Sequence, residues 1–557
     1  MMEVQIVTTE EQPSSAMSNR DKNWRIARDC IREGLLYFAV FIVTSMLFVV
    51  FKPLVSYYRV GAFAKGIITC TIAVCGVFIA YMGATKRLKT RHIMICLLLV
   101  GYAIRVGYML YTPAVTRQHD TYSKNFNGHE AYAWTLFQTG KLPTKNDYQF
   151  YHPPLNALVQ ALFMRIADGL TSGVSVKFFE LFDYAKPDYV DAQRYFLYST
   201  CQILSVLYSV VTAVTLIKAL KLFQFSPKTY LFLSTFVLFF PRHIQFAGML
   251  NNDALAYMLS ALALYFALKW WKGKRSFVYI VLCAFAVGLG MMAKLSSATI
   301  CLPIAGIFIY EFIHTLCKKK GAMPFWEMVL QYGVFLLICA PIGLWFQVYA
   351  SIRFDQPLGF VFSNLNKKLY TGHHSLWGRF GITLDISEYL ASLYCRPFEG
   401  NYNLFNYALK SSIFGEFTYN QGDAWGAVSV LFAYMGIAFL IFGGIWAVVL
   451  WWKSRKDEDS VFRQNSPVYH KDVLFTVLLI ASQVLSEIYF YVKMPYGCTM
   501  DFRYIMPLIF GLALGIGLVN KVLVTVGGER AKSFTLLLNI LVGAFIISSV
   551  LFYTVCG

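Results

Sequence analysis

Apolar stretches of bilayer-crossing length recur from residue 35 to residue 553, and most of the charge sits in short loops between them. This pattern leaves the chain few options. Inside hydrocarbon every backbone N–H and C=O must be satisfied within the structure, so each such stretch is expected to be a membrane helix. Composition agrees: 57% of the 557 residues are hydrophobic and 14% are charged, whereas soluble domains run near one quarter charged. The mean hydropathy is +0.53. The expected fold is an all-α polytopic membrane protein.

Window and charge together predict about thirteen spans. They fall near 35–51, 66–82, 93–111, 195–217, 230–240, 254–268, 277–290, 298–312, 329–349, 425–450, 473–491, 505–519 and 534–553. The loop holding Lys86, Arg87, Lys89 and Arg91, like the N-terminal arm with Arg20, Lys22, Arg25, Arg28 and Arg32, reads as cytoplasmic. Three spans from a cytoplasmic start put the polar stretch 113–154 on the outer face. The next apolar piece, 154–167, carries Leu155, Leu158, Val159, Leu162, Phe163 and Ile166 at helical spacing. A helix there would be about 20 Å long, short of the roughly 30 Å core, so it is expected to lie in the interface. That choice keeps the basic loops at 218–228, 269–275 and 318–320 on the cytoplasmic side.

Four regions follow: a cytoplasmic arm (1–33), a membrane core (34–350) with a first outer loop (113–194), a second outer loop (351–424) and C-terminal helices (425–557). Met1–Arg32 is polar without an apolar core, which predicts no cleavable signal peptide. The net charge of +19 lies in loop lysines and arginines of the positive-inside kind, so nucleic acid is not an expected partner. No CxxC pair occurs among the twelve cysteines, which read as small buried thiols. Cys395 and Cys498 fall in outer loops, where one disulfide could form.

This topology gathers particular polar residues on the outer side: Asp120, His129, Glu130, His152, Arg242, His243, Asp253, Lys294, Glu416 and Arg503. Ionisable groups at a lipid boundary are costly unless paired or wetted, which makes them functional candidates. Snorkelling is the plainer account of the lysines. His152, just before Pro153 and Pro154, reads equally as a helix-start residue, and Glu487 as a partner for a neighbouring helix. The His373–His374 pair lacks nearby ligands for a metal. The aromatic stretch 389–425 reads as a packed lid or an acceptor groove.

The pieces QHDTYSKNFNGHEAYAW, GKLP, FYHPPL, NNDALAY, AKLSS and FRYIMP run in this order from about residue 100 to 520. In order and setting they resemble GT-C glycosyltransferases, in the branch of the protein O-mannosyltransferases and aminoarabinose transferases (glycosyltransferase family 39 and relatives). The resemblance implies a GT-C-like bundle with interfacial helices in the first outer loop. It implies inverting transfer of a sugar, with mannose a candidate, from a polyprenyl-phosphate donor to the hydroxyl of a protein, glycan or lipid acceptor. Such chemistry needs a carboxylate base and cations for the leaving phosphate. On this resemblance Asp120 is the preferred base, with the His129–Glu130 pair as the alternative, and Asp253 is the second acid. Lys294 and Arg503 resemble phosphate-contacting positions, and Arg105 joins them by its place in its span. No cofactor is expected, and no residue pattern supports a divalent metal. The rival reading is a transporter or flippase for lipid-linked sugars, which should show midplane charges and internal repeats.

Overall fold

The computed structural model describes residues 19–58, 61–115, 120–182, 186–319, 321–360, 367–382, 402–415, 423–456 and 468–555. Most of these are helical, and sheet-like pairing among the described residues is limited to one bridge between Tyr370 and Tyr496. In chain order the helices are α1 (Asn19–Tyr58), α2 (Ala62–Ala84), α3 (Thr90–Tyr111), α4 (His129–Thr139), α5 (Leu155–Leu170), α6 (Val176–Glu180) and α7 (Ala192–Thr200). Then follow α8 (Gln202–Lys221), α9 (Pro227–Phe239), α10 (Pro241–Gln245), α11 (Asp253–Lys272), α12 (Phe277–Ala293), α13 (Cys301–Leu316) and α14 (Phe325–Phe354). The last six are α15 (Leu376–Phe380), α16 (Leu404–Phe414), α17 (Asp423–Lys456), α18 (His470–Lys493), α19 (Leu508–Val526) and α20 (Gly528–Val555).

Among the described residues, eleven segments are long and apolar enough to cross a membrane. Two of the expected spans are shorter helices: α9 has 13 residues and α12 has 17. At 1.5 Å per residue these measure about 20 and about 26 Å, against a core of roughly 30 Å. The cause in α9 is local. Phe240 leaves the helical region with ψ 127° because Pro241 follows, and the chain turns into α10.

Helices α8 and α11 lie at the centre of the bundle. Helix α11 packs on α8 and α12, α12 packs on α14, and α17 joins α19 and α20. Gly101 of α3 permits one close crossing, since a Cβ there would stand 2.7 Å from the Leu238 side chain of α9. At the periphery α1 and α2 expose Leu35, Leu36, Phe38, Val74 and Val77, a surface suited to lipid. Helix α5 is not among the eleven segments. It buries Asn156, Gln160 and Met164 and turns Leu158, Leu162, Ile166 and Leu170 outward at four-residue spacing. Its Gln160 Nε2 donates to the Leu250 carbonyl at 2.6 Å, which fixes the polar face against the bundle.

Alternating helix directions sort the charges into two ends. Helix α11 starts at Asp253 and finishes at Lys272; α12 runs back, so Lys294 returns to the Asp253 end. Arg503 sits in the turn Phe502–Ile505 that precedes α19 and arrives at the same end. At the opposite end Lys272 meets Asp472 at 2.6 Å, and Glu311 meets Arg275 at 2.6 Å and Lys471 at 2.9 Å.

Candidate active site

Asp253 opens α11, and its carboxylate is held from three sides. Asn251 Nδ2 donates to Oδ2 at 2.8 Å, and the Asp253 backbone N–H donates back to Asn251 Oδ1 at 3.2 Å. Lys294 Nζ donates to Oδ1 at 2.5 Å. Lys294 is available for this because it breaks α12, adopting an extended conformation with φ −158°. Arg503 completes the group, with Nε 4.0 Å from Asp253 Oδ2. Asp501 sets its backbone by accepting the Arg503 N–H at 2.8 Å.

The second carboxylate comes from the first outer loop. The start of α4 is tied back onto that loop: the His129 N–H donates to the Asp120 carbonyl at 3.0 Å and the Glu130 N–H to the Thr121 carbonyl at 2.9 Å. Gly128 makes this approach feasible, because a Cβ there would lie 2.4 Å from the Thr121 oxygen. The result sets His129 Nε2 3.5 Å from Asp120 Oδ2 and Arg503 Nη1 4.0 Å from the same oxygen. Burial opposes ionisation of Asp120, but His129, Arg503 and Lys294 outweigh it and hold the carboxyl well below the usual carboxylate range. Asp120 Oδ1 has no hydrogen-bond partner among the described residues. The His152 ring stacks on His129 at 5.5 Å. Burial, then His129 and Lys294, keep His152 far below the ordinary histidine range, so its ring is neutral.

Beside these groups a small cleft runs along α11 from Asp253 past Tyr257 to Ser260, with Ser297, Thr299 and Arg503 on its other walls. Orphaned polar atoms cluster nearby in sequence: both side-chain atoms of Asn252 and the Tyr257 hydroxyl are buried without a hydrogen-bond partner among the described residues. Buried polar atoms are normally satisfied, and exceptions mark places where water or a ligand belongs.

Three expected site residues are engaged elsewhere. Glu130 takes Arg194 of α7 in a two-bond pair, Nε to Oε1 and Nη2 to Oε2 at 2.6 Å. The guanidinium also lies over Phe126 at 4.7 Å and Trp134 at 5.3 Å. Arg242 grips both Asp501 oxygens at 2.8 and 2.7 Å, so it supports Arg503 from behind. Arg105 is fully buried in α3 and donates to Ser209 Oγ at 2.7 Å and to the Gly101 and Leu238 carbonyls at 3.0 and 2.9 Å. His243 lies against it at 3.3 Å. Glu416, His119 and Cys395 lie outside the described residues, as does most of the stretch 389–425. His374 stacks on Tyr402 at 3.8 Å. Among the described residues no three His, Cys, Asp or Glu side chains gather to hold a metal.

Sequence reasoning passed over Asp501, whose signal was an acid two residues before a candidate arginine. It also passed over Asn251 and Asn252, which are plain polar residues in a loop. Glu487 is 3% exposed in α18, and its Oε1 has no hydrogen-bond partner among the described residues, so a partner on a neighbouring helix does not account for that oxygen.

In chemical terms, two carboxylates and two cations from four separate parts of the chain share one centre at one end of a helical membrane bundle. No curated protein matches this chain. Residues 199–345, about a quarter of the chain, match a family described as dolichyl-phosphate-mannose-protein mannosyltransferase, and the chain is similar to that family over the stretch that supplies Arg242, Asp253 and Lys294.

Proposed function

We propose that the chain is a membrane glycosyltransferase that moves a sugar from a polyprenyl-phosphate donor to an acceptor hydroxyl, with inversion at the transferred carbon. One observation carries the reading: a single guanidinium, Arg503, stands 4.0 Å from both Asp120 and Asp253, far apart in sequence. Asp120 is the base. Its Oδ1 takes the acceptor proton as the acceptor oxygen attacks the sugar carbon and the bond to the donor phosphate breaks. Arg503 and Lys294 hold that phosphate and stabilise the charge it gains on leaving. Asp253 orients Lys294 through their hydrogen bond, and the hydroxyl-lined cleft below supplies donors to phosphate oxygens.

A carboxyl held well below its usual range is a weak proton acceptor. After His129, the groups that depress Asp120 are Arg503 and Lys294, the two cations assigned to the phosphate. Donor binding would therefore neutralise them and raise the proton affinity of Asp120 at the moment a base is needed. The basic residues Lys272, Arg275 and Lys471 lie at the opposite end of the bundle, which under the positive-inside rule supports an extracytoplasmic face for this centre.

The test is incubation of the purified protein with polyprenyl-phosphate sugars and mass analysis of candidate acceptors. Asp120→Asn is expected to abolish transfer, a loss of at least about a hundredfold, while donor binding persists. Full transfer by that variant would remove Asp120 as the base.

A further inference from the structure

The wall of this centre that faces the first outer loop is aromatic, and the chemistry above makes no use of it. The turn Tyr148–Tyr151 lies directly before His152. The Tyr151 ring packs on the His152 ring at 4.1 Å, His152 stacks on His129 at 5.5 Å, and His129 reaches Asp120 at 3.5 Å. Phe360 packs near-perpendicular to Tyr151 at 5.9 Å. A ladder of rings therefore leads from the second outer loop to the proposed base.

Tyr148 adds a second ring under constraint. Its φ of +43° lies in the left-handed region, where a bulky side chain stands only if its surroundings force it. Those surroundings are the loop that carries Asp120. The Gln149 N–H donates to the Asn127 carbonyl at 3.1 Å, and Asn127 Nδ2 donates to Asp147 Oδ2 at 2.9 Å. Burial and then the Asp120 carboxylate push the Tyr148 phenol up to about 12 and that of Tyr151 higher still, so both hydroxyls stay protonated beside Asp120.

We propose that Tyr148 and Tyr151 form the pyranose subsite of this centre, holding one sugar ring against an aromatic wall beside Asp120. A pyranose has an apolar face of C–H groups and a rim of hydroxyls. A tyrosine offers a matching apolar face with one polar tip, at small cost in side-chain freedom. The ring held there belongs either to the donor or to a glycosylated acceptor. The subsite rests on the functional reading above.

The experiment compares the full chain and its Tyr151→Ala, Tyr151→Phe and Tyr148→Gly variants in lipid nanodiscs. The probes are dolichyl phosphate, dolichyl phosphate mannose and a mannosylated acceptor peptide. If the ring is the donor's, Tyr151→Ala weakens dolichyl phosphate mannose about tenfold and leaves dolichyl phosphate bound as before. If it is the acceptor's, both lipids bind as before and the KM for the mannosylated peptide rises by a similar factor. Tyr151→Phe should recover most of either loss. Tyr148→Gly should show the same selectivity with an unfolding temperature no lower than wild type, because glycine relieves the left-handed backbone; a structural tyrosine would show the reverse. Equal losses for both lipids, or no change with any probe, overturns the subsite alone. A wild-type protein that binds neither lipid overturns the functional reading and the subsite with it.

Discussion

Arg503 and Arg242 show how one residue type takes opposite parts in the same site. Arg242 is locked to Asp501 by two bonds under 3 Å, whereas Arg503 meets Asp120, Asp253 and Asp501 each at 4.0 Å. Ion pairs at that distance are held by field rather than by directed bonds, and an arriving anion can redraw them. The field has a measurable consequence at Asp120, where His129 is the leading influence that opposes burial. A base works above its pKa, so a depressed pKa pushes the acid limb of the rate profile to lower pH. His129→Gln removes part of that depression, so Asp120 should lose its charge earlier as pH falls. The acid limb of kcat/KM is expected to climb by about one pH unit, roughly 1.4 kcal/mol, with rates above pH 8 little changed. An unmoved limb would detach His129 from the base. Sequence alone flagged Asp120, Asp253, Lys294 and Arg503 because charge at a lipid boundary is conspicuous, and the fold brings these four together. The same signal flagged Arg105, Arg242 and Glu130, since it cannot reveal whether a charge is answered by the protein or by a ligand. Only the fold distinguishes them, by placing Ser209, Asp501 and Arg194 within reach.

Among the elements, α4 matters most to this centre, because its first turn is hydrogen-bonded to the backbone of Asp120 and Thr121. Glu130 anchors that turn to α7 through Arg194, with side chains 2% and 14% exposed. Burial raises the pKa of Glu130 and Arg194 opposes the rise. Glu130→Gln would leave the guanidinium without its counter-charge in a largely enclosed position. Breaking such a pair costs about 3 kcal/mol, so the unfolding temperature should fall and backbone amide exchange in α4 should speed up. Activity per folded molecule should stay near wild type, which separates this carboxylate from Asp120. If instead the variant kept its stability and lost turnover, Glu130 would belong with the chemistry. Helix periodicity foretold α5 and its outward leucines, because spacing is local information. The shortness of α9 was visible too, in the brief expected span 230–240, whereas the turn into α10 depends on Pro241 and on packing against α3.

At the scale of the whole molecule, α11 is a strut between two polar clusters, with Asp253 at one end and Lys272 at the other. Its 20 residues span about 30 Å, the thickness of a bilayer core. The order of such struts was readable from hydropathy, whereas their pairing was not, since Lys272–Asp472 and Glu311–Lys471 join residues more than a hundred positions apart. The far cluster closes the bundle: Asp472 is 2% exposed and Lys272 is 15%, and the ammonium also donates to the Leu222 carbonyl at 3.0 Å. Enclosed pairs of this kind contribute little over an apolar pair of equal volume, yet removing one member is expensive. Lys272→Met alone should therefore lower stability by about 3 kcal/mol, seen as a drop in unfolding temperature. Combining it with Asp472→Leu should restore most of that loss. Donor binding and turnover per folded molecule should be unchanged in both variants, because the cluster is a membrane's width from Asp120. A single variant as stable as wild type would show the pair to be solvated, and a double variant with impaired turnover would show the two ends to be coupled through α11.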